Sequence, residues 1–283
     1  MQIKTTGGRT DALNLSLTNK KLNPSVLLEL ADKYETADFL HKDPSRFMHL
    51  YKASPADAEV VAFLSANLAF GRREQILSHI EFILSLIRQS DLTPCMWIKQ
   101  GAYEKDFPRT DRSFYRMFTF TDMNNFFSGV KQILNESPSL GEFYKAAWQR
   151  ECEFAQKDSA YKKRYLHEVI AAAFPVKTAL VGCSKGGAAK KLNMFLRWMV
   201  RDNSPVDLGL WSAWYKKSDL LMPMDTHVIQ QSVEFGFLQR TGSGALPSAG
   251  IKNAVRLTDC MKEFFGDDPV RGDFALFGLG VNS

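Results

Sequence analysis

The chain alternates between segments that carry apolar residues at helical spacing and short stretches rich in glycine, proline and serine. Helical spacing places apolar side chains three or four residues apart, so that they share one face of a helix. Very little of the chain reads as strand, and no repeat of fixed period is present, so the pattern predicts an all-α fold. The predicted helical segments are LLELADKYETADFLHK after Asn23-Pro24-Ser25, AEVVAFLSANLAF after Ser54-Pro55-Ala56-Asp57, REQILSHIEFILSLIRQ, DMNNFFSGVKQILNE, SLGEFYKAAWQRECEFAQ, KKRYLHEVIAAAF, AAKKLNMFLRWMVRD, THVIQQSVEFGFL, AGIKNAVRLTDCMKEFF and DFALFGLG.

Composition narrows the class of protein. The 283 residues, 45% of them hydrophobic, suffice for a packed core in one large domain or two small ones. The N-terminal residues MQIKTTGGRTDALNLSLTNKK lack the apolar core of a signal peptide, and no later segment has the unbroken apolar run of a membrane span. We therefore expect a cytoplasmic protein that does not enter a membrane. The formal net charge of +5 fits an anionic partner without requiring one.

The four cysteines, at positions 95, 152, 183 and 260, are scattered along the chain without a CxxC pair. Such spacing indicates neither a disulfide framework nor a zinc or iron-sulfur site. The sequence therefore predicts no cofactor.

A glycine-rich turn, VGCSKGG, precedes the predicted helix that starts near Lys190. Exposed backbone amides of Gly182, Gly186 and Gly187 at such a helix N-terminus can hold a phosphate. Most turns of this kind are only connectors, and the GxxxxGK[ST] pattern of a P-loop is not met. Both interpretations of the turn stay open.

The helix AKKLNMFLRWMVR separates apolar from cationic residues. At 100° per residue Lys190, Arg197 and Arg201 share one face, opposite to the apolar face formed by Leu192, Phe195, Leu196 and Met199. A cationic stripe of this kind is usually a solvated surface, and the alternative is one wall of an anion-binding cleft. Helical periodicity alone does not decide between a solvated surface and the wall of a cleft.

Asp225 lies in the segment PMDTHV, directly before an apolar-periodic run. Aspartate is among the best N-cap residues, so the pattern predicts that Asp225 caps the helix that follows. A capping carboxylate is held rigidly and kept ionised by the helix dipole and by amide hydrogen bonds, which suits it to stabilise a developing cation. His227 is a conceivable metal partner, but no third ligand accompanies it at a sensible spacing, and we predict no metal site.

These motifs together resemble the helix-hairpin-helix DNA glycosylase superfamily, which includes endonuclease III and the archaeal 8-oxoguanine glycosylases. The resemblance rests on the glycine turn, the lysine that starts a helix and PMDTHV. FLSAN at 63–67 resembles the LLSAQ helix of that superfamily, and DFALFGLG at 273–280 resembles its closing helix. The similarity runs from about residue 25 to the end and is closest to an uncharacterised bacterial branch.

Two features depart from the superfamily pattern. LVGCS at 180–184 stands where the hairpin signature LPGVG is expected, which puts standard hairpin binding of the DNA backbone in doubt. No cysteine quartet follows Asp225, so the iron-sulfur cluster of endonuclease III is not expected.

The resemblance implies a two-lobed helical fold with a central cleft. Residues 45–200, including the degenerate hairpin, would form a helical barrel lobe, and residues 1–44 and 201–283 would be the N- and C-terminal parts of the second lobe. Lys190 and Asp225 would face each other across the cleft.

The resemblance also implies an activity, the excision of a damaged base, such as an oxidised purine, from double-stranded DNA by a monomeric enzyme. Lys190 would attack the sugar carbon and form a Schiff base, with a possible AP-lyase step, and Asp225 would support the cationic transition state. Lys185 and Lys191 are rivals for the nucleophile. The residues expected to contact DNA are Gly182, Lys185, Gly186, Gly187, Arg197, Arg201, Asn67 and His227; those expected to stack on the base, or else to lie in the core, are Trp198, Trp211 and Trp214.

Two alternatives from other classes remain. A non-catalytic DNA-binding protein of the same fold would bind DNA in a salt-dependent manner without forming product. A helical protein that binds a nucleoside or another small molecule in its cleft would not bind DNA even at low salt.

Overall fold

The computed structural model describes residues 24–282, in which nearly all regular elements are helices, so the predicted all-α class is confirmed for that part of the chain. A single short hairpin pairs β1 (Ser113–Tyr115) with β2 (Phe118–Thr119) in antiparallel fashion. The α-helices are α1 (Pro24–Tyr34), α2 (Arg46–His49), α3 (Pro55–Leu68), α4 (Arg73–Gln89), α5 (Pro94–Lys99), α6 (Phe120–Glu136), α7 (Leu140–Lys157), α8 (Leu166–Ala173), α9 (Lys190–Val200), α10 (Thr226–Glu234), α11 (Ile251–Phe265) and α12 (Gly272–Asn282); 3-10 turns span Ala37–Lys42, Ala102–Lys105, Lys217–Asp219 and Pro269–Arg271.

The first predicted helical segment is broken in the structure. Helix α1 ends at Tyr34, and Thr36 is extended before the 3-10 turn at Ala37–Lys42. The Glu35 carboxylate lies between Arg201 and Arg271, at 2.8 Å from each. These long-range ion pairs are invisible to helical periodicity, which is why the sequence alone predicts one continuous helix.

Helix α3 forms the centre of the fold. Its residues 57–68 are all buried, as expected for a helix that is apolar on every side. Helices α2, α4, α5, α7 and α9 all pack against it. Phe63 contacts the rings of Phe126, Tyr144, Phe174 and Phe195, at centroid distances of 5.0 to 6.2 Å. All of the predicted motif FLSAN at 63–67 is therefore part of the core.

The two ends of the described chain meet. Helix α12 packs against α1 and against α10, and α11 packs against the 3-10 turn at Pro269–Arg271. None of the described helices is both long and apolar enough to cross a membrane. The division into lobes at 1–44, 45–200 and 201–283 stays a prediction, and residues 1–23 of the first segment lie outside the described residues.

A buried ionic network joins α9 to segments near both ends of the described chain. Arg197 pairs with Asp207 at 3.3 Å and with Asp273, while Arg201 pairs with Glu35 and Asp268, at 2.8 Å each, and with Asp207. Although burial opposes its charge, these carboxylates raise the pKa of Arg201 above its usual range. Arg271 extends the network by pairing with Asp32 and Glu35.

This network corrects the predicted cationic stripe. The side chains of Arg197 and Arg201 are only 4% and 2% exposed. Carboxylates from Glu35 directly after α1, from the loop after α9 and from the C-terminal segment cover them. The expectation that both arginines contact DNA is therefore wrong for this conformation, and only Lys190 of the predicted stripe remains accessible.

Replacing Arg201 by glutamine would leave three carboxylates without their shared cation. Because an unpaired buried charge is costly, we expect Arg201→Gln to lower the free energy of unfolding by about 3–5 kcal/mol, measured by urea denaturation. Arg150→Gln, at an exposed position on α7, is the matched control and should change it by less than about 0.5 kcal/mol. A loss below about 1 kcal/mol for Arg201→Gln would contradict the structural role of the network.

Candidate active site

A cleft of about 900 Å³ opens where the glycine turn, the starts of α4, α9 and α10 and the first half of α12 meet. Of the residues predicted from sequence, Lys190, its rival Lys191, Asp225, Gly182 and His227 line this cleft, together with the buried Arg197. The structure therefore brings together the lysine and the aspartate that the motifs singled out.

Lys190 and Asp225 form an ion pair in the cleft wall. The Lys190 Nζ atom lies 3.4 Å from Asp225 Oδ2, and the two side chains are 36% and 12% exposed. Asp225 Oδ1 accepts a hydrogen bond from the Val228 amide at 2.8 Å, which confirms Asp225 as the N-cap of α10. One carboxylate oxygen fixes the helix, and the other faces the lysine.

Local structure explains how each partner is positioned. Residues 220–224 form a buried segment of irregular structure, anchored where the Met222 amide donates to Thr258 Oγ1 at 3.0 Å. This segment delivers Asp225 to the cleft. On the other side, Ala189 has φ +44° and ψ 52°, a left-handed conformation that costs a non-glycine residue about 1–2 kcal/mol. It turns the chain sharply, so that α9 begins at Lys190.

The two rival lysines differ from Lys190 in their placement: Lys191 also lines the cleft but its amine bonds to a backbone carbonyl, and Lys185 lies outside the cleft. Lys191 donates a hydrogen bond from Nζ to the Leu180 carbonyl at 2.5 Å, and burial lowers the pKa of its amine to about 8. Lys185 is exposed in the glycine turn and does not line the cleft. Of these three lysines, Lys190 is the one that pairs with Asp225.

Two backbone amides at the end of the glycine turn already donate hydrogen bonds within the protein, as in a simple connecting turn. The Gly187 amide donates to the Ser184 carbonyl at 2.9 Å, and the Ala188 amide donates to the Ala249 carbonyl at 3.0 Å. The Gly186 carbonyl accepts from the Ile251 amide at 2.9 Å. The expectation that the Gly187 amide binds phosphate is therefore wrong here, because that amide already has a partner. Roles for Gly182, Lys185 and Gly186 stay predictions.

The predicted base-stacking tryptophans are core residues. Trp198 and Trp211 are fully buried, and Trp211 Nε1 donates to Glu59 Oε1 at 2.8 Å. Trp214 packs on Trp211 with ring centroids 5.2 Å apart, and none of the three lines the cleft. The base-pocket prediction is thus wrong for Trp198 and Trp211, which are packed in the core.

Asn67 is also misassigned. Its side chain is buried in α3 and donates from Nδ2 to the Phe63 carbonyl at 2.9 Å, so it does not reach a bound DNA. His227, in contrast, is exposed at the cleft.

Among the residues that the structure describes, no group of three or more His, Cys, Asp or Glu side chains is placed to hold a metal ion.

Sequence reasoning missed several residues of the cleft. Phe39, Phe70 and Phe277 supply aromatic rings to its wall, and Arg72 and Arg73 supply cations at the start of α4. Asp273 is a buried carboxylate in the same wall, and burial raises its pKa to about 6. The only sequence signal for Asp273 is an acidic residue at the start of the apolar segment DFALFGLG.

Comparison with known proteins gives a single finding. A model of the protein family described as "Protein of unknown function (DUF2400)" matches residues 43–282, a range that contains both Lys190 and Asp225. Neither a curated protein nor a solved structure matches the chain.

The two roles of Asp225 can be separated by substitution. Asparagine keeps an N-cap acceptor without the charge, whereas alanine removes both. We expect Asp225→Ala to lower the free energy of unfolding by about 1 kcal/mol and Asp225→Asn to change it little, measured by urea denaturation. Equal losses in the two variants would show that the charge of Asp225, rather than its cap, stabilises the fold.

Proposed function

We propose a function for this chain, which belongs to the DUF2400 family of proteins of unknown function, from the chemistry of its cleft. It is a DNA base-excision glycosylase of the helix-hairpin-helix type, in which Lys190 is the nucleophile and Asp225 is its supporting carboxylate. The damaged base enters the cleft from double-stranded DNA, and a lyase step follows through the same lysine.

The observation that carries the proposal is the 3.4 Å contact between Lys190 Nζ and Asp225 Oδ2 in an open cleft. An amine and a fixed carboxylate at the same place are the two groups that this reaction requires. The 36% exposure of Lys190 leaves its amine accessible to a ligand.

The chemistry follows from these two groups. The Lys190 amine, once deprotonated, attacks the sugar carbon that bears the base; a new C–N bond forms as the glycosidic bond breaks, and the base leaves with the bonding electrons and takes up a proton. The sugar carbon passes through a state with oxocarbenium character, which the nearby Asp225 carboxylate stabilises electrostatically. Opening of the sugar ring then gives the Schiff base.

The rest of the cleft supports a flipped base as the ligand. Enzymes that act on a base must take it out of the stack, and aromatic side chains stack on the extruded base. Phe39, Phe70 and Phe277 provide such rings in place of the predicted tryptophans. Arg72 and Arg73, which line the cleft at the start of α4, suit the phosphates on either side of the base.

One observation favours a second candidate. The burial of Arg197 and Arg201 removes two of the cations expected to hold the DNA backbone, and a volume near 900 Å³ falls within the range of small-molecule sites. A nucleoside or related small molecule is therefore the alternative ligand. Lack of DNA binding even at low salt would support this candidate over the glycosylase.

Borohydride trapping tests the glycosylase proposal. Duplex oligonucleotides that carry 8-oxoguanine or an abasic site are incubated with the protein and reduced, which converts a Schiff base to a stable adduct visible on a denaturing gel. We expect an adduct with the wild-type protein, none with Lys190→Gln and, with Asp225→Asn, formation slowed by about 100-fold or more. Lys162→Gln, at an exposed lysine outside the cleft, is the matched control and should trap normally.

Each other outcome has a definite meaning. An adduct that survives Lys190→Gln contradicts the assignment of the nucleophile. Absence of any adduct, together with salt-dependent DNA binding, contradicts catalysis and supports a DNA-binding protein of the same fold.

A further inference from the structure

A second cavity, of about 410 Å³, lies beside the cleft. The end of α1, the 3-10 turn at Ala37–Lys42, the start of α4 and the middle of α12 surround it. Phe39, Asp43, Arg73 and Phe277 line both spaces, so the two share a wall. The volume of the second cavity falls within the range of sites for small organic ligands. The proposed chemistry gives this space no role.

The shared wall holds a cation that has no anion beside it. Phe39 and Phe277 meet edge to face in this wall, with ring centroids 6.2 Å apart, and the Arg73 guanidinium lies 5.8 Å from the centroid of the Phe277 ring. Arg73 is half-buried, yet no carboxylate of the described residues lies within ion-pair distance of it. The buried Arg197 and Arg201, by contrast, both pair with carboxylates. Because a guanidinium matches two phosphate oxygens, an unpaired one in a cavity wall suits a phosphate.

The second cavity also offers an aromatic ring to a base. Tyr34 lines it, and α12 meets the Tyr34 ring at Gly278. A Cβ atom at Gly278 would lie 2.3 Å from Cγ of that ring, so a larger residue would displace it. The ring is therefore held in place against the helix. Every base has a face that stacks on such a ring, whatever the sequence of the strand.

The charges around the second cavity favour an anionic ligand. Lys33 and Lys42 are exposed, and neither has a carboxylate partner among the described residues. The two carboxylates that line the cavity are already engaged. Asp38 pairs with His41 at 3.8 Å, and the buried Asp43 accepts a hydrogen bond from a backbone amide at 2.9 Å. The unpaired charge around the cavity is thus positive, as a site for a phosphate backbone requires.

We propose that the second cavity holds the nucleotide next to the one whose base enters the cleft, and that Arg73 binds the phosphate that joins the two. The phosphate lies over the shared wall, with one nucleotide on each side. Stacking on Tyr34 offsets part of the cost of taking a second base out of the stack. The inference rests on the proposed function only in that the cleft holds a nucleotide, and it needs no reaction of Lys190. It makes the ligand two successive nucleotides of one strand, whereas a free nucleoside fills one space only.

A short strand that cannot react tests the role of Arg73. The probe is a trinucleotide with a tetrahydrofuran abasic analogue between two deoxyadenosines, and its affinity for the full chain is measured by calorimetry. Two analogues carry an uncharged methylphosphonate, one at each linkage. For the wild-type protein we expect one of the two analogues to bind about ten-fold more weakly, since a charge-assisted hydrogen bond is lost. Arg73→Gln should remove the sensitivity to that linkage, and Arg150→Gln, at an exposed position outside both cavities, should keep it.

Deletion of a base tests the role of Tyr34. A second tetrahydrofuran replaces the deoxyadenosine on the side of the sensitive linkage. We expect the wild-type protein to bind this probe about five-fold more weakly or worse, because one stacked base is lost. The same deletion on the other side should have a smaller effect. Tyr34→Leu, which keeps an apolar side chain, should reduce the difference; if that variant does not fold, the wild-type series alone decides.

The outcomes separate this inference from the proposed function. Equal sensitivity to the methylphosphonates in the wild-type and Arg73→Gln proteins overturns the role of Arg73. Equal affinities after base deletion on either side, or no binding of the trinucleotide at millimolar concentration, overturn the role of the second cavity. Because the tetrahydrofuran cannot form a Schiff base, the second cavity can bind its nucleotide while borohydride trapping fails. Trapping can equally succeed while the second cavity stays empty.

Discussion

The structure depends on two arginines of helix α9 that are buried with their charges. Arg197 and Arg201 contact carboxylates from Glu35 directly after α1, from the loop after α9 and from the C-terminal segment. A buried ion pair adds little net stability, but removing one partner is expensive, so the pairs fix which segments meet. The ion pairs therefore fix the position of helix α9 relative to the segments near both ends of the described chain. They also hold α1 and α12 close to each other.

The same constraint positions the cleft. Lys190 begins the helix whose middle is locked by Arg197, so the location of its amine is set by the network behind it. Asp225 arrives from the opposite side on a buried segment of irregular structure and is fixed by its N-cap hydrogen bond. Arg197 also holds Asp273 at the cleft wall. The ionic core and the candidate site are thus parts of one continuous set of contacts.

Sequence reasoning succeeded where local rules suffice. The helix at Arg73–Gln89 has the predicted bounds, and the cap at Asp225 follows from the preference of aspartate for that position.

Sequence reasoning failed where partners distant in sequence decide the outcome. Arg197 and Arg201 lie on a polar face that periodicity reads as solvent-exposed, and only the fold reveals the carboxylates that cover it. The prediction that Trp198 and Trp211 stack on the base failed for a related reason. A large aromatic residue near a motif is more often packed in the core than exposed to a ligand. Asp273 was missed because one acidic residue at the start of an apolar helix carries no signal of its neighbours.

The central claim is that the cleft presents Lys190 to the sugar of a DNA nucleotide. A crystal structure with a duplex that contains a tetrahydrofuran abasic analogue tests it most directly, through the distance between Lys190 Nζ and the ring carbon that corresponds to the anomeric position. We predict a distance of about 3–3.5 Å, the separation of reacting atoms before attack, with Asp225 on the same side of the ring. A sugar bound outside the cleft, with Lys190 still closed onto Asp225, would contradict the claim.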